Sequence, residues 1–197
     1  MSEILCRKAR DESQLSEVLN HYSRFWGNKP RELRWNHGPV DQLSKDFRVL
    51  EFSPSSVRTM WTYATCGMSL PYSDQAIELH LFSPIQANEL VELLTVTAHF
   101  HSFGAQLATG HTVNFGRPWL SGSKCTFGLI SLPYLDGPDL EVMRTLDGYI
   151  RFLWLVPVTA FEVEYKKEHG LDALEKLFEA RSFNYCDPQR KDATALD

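Results

Sequence analysis

Trp61-Thr62-Tyr63-Ala64-Thr65-Cys66-Gly67-Met68-Ser69, followed by Ile77-Glu78-Leu79-His80-Leu81, is the stretch that decides the fold. Met60, Thr62 and Ala64 alternate with Trp61, Tyr63 and Thr65, the period of a pleated strand. Gly67 can take the positive φ of a bend, and Pro71 fixes the exit from it. In the second run Ile77, Leu79 and Leu81 share one face, and Glu78 and His80 point the other way. The pair therefore reads as strand, bend and strand. Its small, aromatic and hydroxyl side chains suit a recognition surface and do not make up a complete catalytic set.

Outward from this pair, helices and strands are mixed along the chain. Asp11 and Gln14 resemble a capping box, after which Leu15, Val18, Leu19, Tyr22 and Phe25 recur at helical spacing up to Gly27. Phe47 to Phe52 reads as a strand stopped by Pro54. Ser83-Pro84 is expected to start a helix whose apolar stripe is Leu90, Val91, Leu94 and Ala98. His111 to Phe115 and Cys125 to Leu132 are two further strands, and Tyr134 to Pro138 is a turn. Tyr149 to Val156 is the most hydrophobic strand and the expected centre of the sheet. Thr159 and Glu162 form a capping box, with Val158 and Val163 placed for a hydrophobic staple. That helix breaks at Gly170, and Leu171, Leu174, Leu177 and Phe178 form the last one. The reading is a single α+β domain over residues 1–186, a mixed β-sheet of about six strands flanked by helices. Residues 187–197 are polar and expected to fray.

Composition sets the function classes. The chain has 197 residues, 43% hydrophobic and 23% charged, enough apolar material for one core. With 12 Phe, 7 Tyr and 5 Trp, part of the core or a binding face must be aromatic. A net charge of −5 without any basic stripe argues against nucleic acid and allows a basic protein partner. The longest apolar run, Phe152 to Val158, is far too short to cross a bilayer, so no membrane partner is expected. Met1 to Arg10 lacks the apolar run of a secretory signal, and a cytoplasmic protein with free thiols is the expectation.

Metal and nucleophile chemistry find little support. Cys6, Cys66, Cys125 and Cys186 share no metal-binding spacing. His99 and His101, two apart on a helix, diverge by about 200°, and His80 and His111 come from different strands. No metal and no cofactor are expected. The best enzymatic alternative is a small hydrolase using Ser69 or Ser123 with His80 or His111 as base. No motif supplies a third orienting group or an oxyanion hole, so the chain is read as a non-enzyme.

The ordered series of motifs resembles the suppressor-of-fused family. Trp61 to Ser69 resembles the family's Trp-x-Tyr-x-(Ser/Thr)-x-Gly-(Met/Leu)-Ser strand and bend, and Ile77 to Leu81 its following Glu-Leu strand. Glu89 to Leu94 leads a similar helix. Gly110 to Phe115 and Ser131 to Gly137 are similar to the bacterial branch, and Phe152 to Glu162 resembles the strand entering the last helices. The likeness covers roughly residues 45–188. It implies an α/β sandwich and a non-catalytic protein-binding module, matching the first of the two domains with which animal members clasp a peptide. Bacterial single-domain members are associated with toxin–immunity loci, which implies an immunity, antitoxin-like or regulatory protein that sequesters a toxin or a regulatory protein. Tyr72 aligns with a tyrosine near the peptide-binding edge of the animal domain. Together with the residues' turn-rich setting, this gives an expected binding site of Tyr72, Gly67, Met68, Ser69, Trp119 and Tyr134.

Overall fold

The alternating run becomes strand β3 (Trp61–Cys66), and the Ile77 run becomes β4 (Ile77–Ser83), its antiparallel neighbour with Ala64 opposite His80. The computed structural model describes residues 2–27, 29–56, 58–70, 76–146 and 148–195, without the side chains of residues 2–8, 39 and 41. Upstream, β1 (Arg31–Leu33) and β2 (Arg48–Phe52) complete an antiparallel meander with β3. Downstream lie β5 (Thr112–Asn114), β6 (Phe127–Ser131), β7 (Val142–Thr145) and the long β8 (Gly148–Val158). Among the described residues this makes one eight-stranded sheet in the order β1-β2-β3-β4-β8-β6-β5, with β7 beside β8. Among the described strands β4 and β8 alone pair in parallel, so the sheet is mixed. β8 is central, as its hydrophobicity predicts: it pairs with β4, β6 and β7.

Five α-helices accompany the sheet among the described residues: α1 (Ser2–Trp26), α2 (Glu89–Phe103), the short α3 (Pro138–Glu141), α4 (Ala160–His169) and α5 (Leu171–Ala180). α2 covers one face, where Leu90 and Leu94 pack with Leu79, Leu81, Leu153 and Leu155. The other face is divided. α1 sets Leu15, Val18, Tyr22 and Trp26 against Leu50, Phe52 and Phe152. α4 and α5 set Val163 and Leu174 against Phe82, Leu129, Trp154 and Val156.

Several expectations need correction. α1 begins at Ser2, not near Asp11, because Glu3 to Arg10 are mostly good helix formers. Gln14 caps nothing; its Nε2 donates to Ser69 Oγ at 3.0 Å. Ser83 stays in β4, its hydroxyl hydrogen-bonded to Ile85, and α2 starts only at Glu89. β4 is buried on both faces, Glu78 and His80 included, because α1 lies over the face that an alternating strand would give to water. β1 and β7 are too short to show a period. The Thr159 capping box forms as predicted, with Glu162 N to Thr159 Oγ1 at 3.2 Å and Thr159 N to Glu162 Oε2 at 2.9 Å.

The C-terminal segment does not fray over residues 187–195. Arg190 forms a buried two-pronged pair with Glu162, at 2.7 and 2.6 Å, and Ala193 N donates to the same carboxylate at 2.8 Å. The capping-box carboxylate therefore carries a second duty, holding the end of the described chain against α4.

Candidate functional site

α5 and the chain after it build one wall of a groove. Gly170, at φ 90°, turns α4 into α5, a conformation in which only glycine avoids steric strain. Leu174 is buried, which leaves Asp172, Glu175 and Glu179 on another side of α5 at helical spacing. After α5 the chain reverses through Ser182, and Phe183 N donates to Phe178 O at 3.0 Å. The rings of Phe178 and Phe183 stack at 4.0 Å, and Tyr185 meets Trp154 edge-on at 4.9 Å.

The opposite wall is the turn after β6. Asp136 N and Gly137 N both donate to Pro133 O at 2.9 Å, so the turn holds its own shape. It presents Tyr134, 59% exposed, and Leu135, 46% exposed. Between the walls lies a cavity of about 440 Å³, with Leu129, Trp154, Val156, Phe178, Phe183 and Tyr185 among its lining. The polar groups converge on its mouth. Glu175 Oε1 accepts from Tyr134 Oη at 3.3 Å and from Ser131 Oγ at 3.4 Å. Burial, then the neighbouring Glu175, pushes the Tyr134 hydroxyl up from its ordinary pKa. Burial likewise raises Glu175; its hydrogen bonds from Tyr134 and Ser131 pull it back, and Asp172 and Glu179 add to the rise.

The turn is tied through Asp136 to α1 and β4, on the same face of the sheet. Its Oδ1 accepts from Trp26 Nε1 at 2.8 Å and from the Arg58 guanidinium, which also lies 4.6 Å from the centre of the Phe82 ring. His80 Nε2 stands 3.9 Å from Asp136 Oδ2. Burial, with Arg58 beside it, lowers the His80 pKa to about 3, so this imidazole is neutral in the fold. These contacts link α1, β4 and the turn, so Tyr134 stands on a rigid support.

Of the six residues expected to form the binding site, the five that are described do not converge. Tyr72 lies outside the described residues. Tyr134 is exposed and forms the lip of the groove. Gly67, Met68 and Ser69 are buried, and their backbone N–H groups all donate to Glu78, at 2.9, 3.3 and 3.1 Å. Hydroxyls add two more bonds to this carboxylate, from Ser69 Oγ at 2.7 Å and Thr65 Oγ1 at 2.6 Å. The bend is therefore a nest for an internal acid, not a free surface. Trp119 is 1% exposed, packs in the α2-side core and donates to Ser123 Oγ at 3.0 Å. A turn-rich segment can fold back over a sheet and bury its ring, and this loop does so.

The hydrolase alternative gains nothing from the geometry. The Ser69 hydroxyl is held by Glu78 and Gln14, and that of Ser123 by Trp119 and Cys125 N, with no histidine in either set. His80 is sealed among Tyr22, Trp26 and Phe82. Among the described residues no group of three or more His, Cys, Asp or Glu side chains could hold a metal ion. Cys66 and Cys125 are buried free thiols, and burial raises both pKa values. No helix among the described residues is long and apolar enough to cross a membrane.

Sequence reasoning missed Glu175, Trp154, Phe183 and Tyr185. The spacing of Asp172, Glu175 and Glu179 was the available signal, since it sets three carboxylates along one side of the last helix.

The model of the suppressor of fused protein family matches residues 44–191. The structure is similar to that of a suppressor of fused homologue from Neisseria gonorrhoeae, with a TM-score of 0.82 and 29% identity over 94% of this chain and 100% of that one. It is also similar to a chain of the Sufu–Fu complex crystal structure, with a TM-score of 0.65 and 14% identity over 93% of this chain and 91% of that one. Drosophila Suppressor of Fused gives a TM-score of 0.65 and 14% identity over 89% of this chain, which spans 50% of that one. No curated protein matches.

Proposed function

This chain belongs to the suppressor of fused protein family, and from that membership we propose that it is a non-catalytic protein-binding module that acts by sequestering a protein partner. The observation that carries the reading is the family match over most of the chain, together with a fold shared along the full length of the Neisseria gonorrhoeae homologue. The Sufu–Fu complex contains a chain of the same fold in an assembly with another protein. In finer detail, we read the protein as a bacterial immunity or antitoxin-like protein, or a regulator, working in the cytoplasm on a toxin or regulatory protein. An acidic chain with an exposed aromatic lip favours a basic partner, by steering and by contact area.

The test is affinity capture of the tagged full chain with cross-linking and mass spectrometry, followed by reconstitution with the captured protein and, where one is encoded beside it, the neighbouring toxin. The expected result is a stoichiometric complex that blocks the partner's activity. Turnover in an ester and peptide substrate screen, abolished by Ser69→Ala or Ser123→Ala with folding intact, would overturn it.

A further inference from the structure

We propose that the groove between α5 and the Tyr134–Leu135 turn receives a linear, basic segment of the protein partner, an extended peptide whose arginine or lysine reaches Glu175 while its neighbouring side chain fills the aromatic floor. The proposal deepens the protein-binding reading and rests on it. Three independent features argue for this occupant.

The first is charge. Glu175 and Glu179 line the groove, with Asp172 one turn before Glu175 on α5, and among the described residues no lysine or arginine pairs with any of the three. Glu175 holds only neutral hydroxyls, from Tyr134 and Ser131, and it is partly desolvated by the groove. A guanidinium or ammonium placed there would gain a charge-assisted bond and relieve the repulsion from the two flanking carboxylates.

The second is the floor. Trp154, Phe178, Phe183 and Tyr185 give an apolar, aromatic surface under an acidic mouth. That combination fits the aliphatic stem and cationic head of a long basic side chain, through stem burial and attraction to the rings. About 440 Å³ is room for a side chain or two of a peptide, not for a folded domain.

The third is an unpartnered donor. Trp154 is 6% exposed, lines the groove, and its Nε1 has no hydrogen-bond acceptor among the described residues. A buried indole N–H normally finds a partner. A peptide brings main-chain carbonyls that a free organic cation lacks, and the indole N–H, which has no accessible surface in the free protein, would donate to one of them on a rotation of the Trp154 ring. The anchoring of the turn through Asp136 keeps that wall in place before binding, which lowers the ordering cost.

The experiment uses the full chain and an array of short extended peptides, identical except for a central Arg, Lys, citrulline or Glu between leucines. Arg and Lys peptides should bind at least about tenfold more tightly than citrulline or Glu peptides. The preference should disappear in the variant Glu175→Lys/Glu179→Lys, whose thermal midpoint should stay within a few degrees of the parent. The Trp154 indole resonance, assigned with Trp154→Phe, should shift on titration. Equal binding of citrulline and Arg peptides would overturn the proposal, as would binding unchanged in the double variant or a stationary Trp154 resonance. If argininamide alone saturates the groove as well as a peptide, the occupant is a small cation; if the double variant dissolves a dimer, it is a second copy. A peptide or captured partner that binds regardless of Glu175 would remove the groove and leave the protein-binding reading standing.

Discussion

Arg190 grips Glu162 through two parallel N–H···O bonds, 2.7 and 2.6 Å long, with both side chains almost wholly out of water. Glu162 is also the N3 residue of the α4 capping box, so one carboxylate serves the helix start, the arginine and Ala193 N. Arg190 in turn stacks on Phe183, 4.3 Å from the ring centre, which joins this lock to the groove.

Arg190→Met should therefore destabilise the protein by about 3–5 kcal/mol, because it strands a buried carboxylate. Urea unfolding measures the loss, and limited proteolysis should show cleavage within residues 187–195. Adding Glu162→Gln to the same chain should restore a large part of the stability.

Glu78→Gln should cost about 1–3 kcal/mol in denaturant unfolding. Every partner of the carboxylate is a donor, including three backbone N–H groups that cannot reverse their role. The amide would set N–H against N–H in either orientation. Glu78→Ala should cost more, since it leaves the whole nest unpaired. Equal stability of the parent and the Gln variant would show that the acid is not an acceptor there.

His80 makes stability fall in acid. Its pKa is lowered from 6.5 to about 3, first by burial and then by Arg58. Between these values the unfolded chain binds a proton that the fold refuses, so stability rises with pH across the window. The contribution is fully present above about pH 6.5 and is lost as pH falls to about 3, of the order of several kcal/mol. Unfolding free energies of the parent and His80→Phe should diverge in slope within that window and run parallel above it.

Trp119→Ala should cost about 3–5 kcal/mol as a large core truncation. Partner affinity, measured on the folded fraction, should be unchanged. A selective loss of affinity with intact stability would restore Trp119 to the binding surface.

The two central strands and the Thr159 capping box are legible because each is a local pattern that the tertiary structure keeps. Glu78 shows where local reading stops. Alternation sends it away from the face of Leu79, and it does point there, but the covering helix comes from the distant start of the chain. The stripe Leu15, Val18 and Tyr22 shows that α1 must cover something without showing what. Trp119 and Tyr134 sit in similar Gly- and Pro-containing segments, one buried and one exposed, and only the path of each loop separates them. The groove was least legible, because its walls come from β6, α5 and the reversal after Ser182, which adjoin only in the folded chain.

The parallel pairing of β4 with β8 has a consequence for how the chain is made. The meander β1 to β4 can form from consecutive neighbours as it is synthesised, but the strand that completes it comes from the opposite half of the sequence. Until residues 148–158 have left the ribosome, β4 shows an apolar, unpaired edge to whatever is nearby, including other nascent chains. Closing that edge requires a long-range loop, which makes insertion of β8 a slow step. Yield during synthesis should depend on how soon that strand arrives and on chaperones that guard the edge meanwhile, more than on the stability of the finished fold.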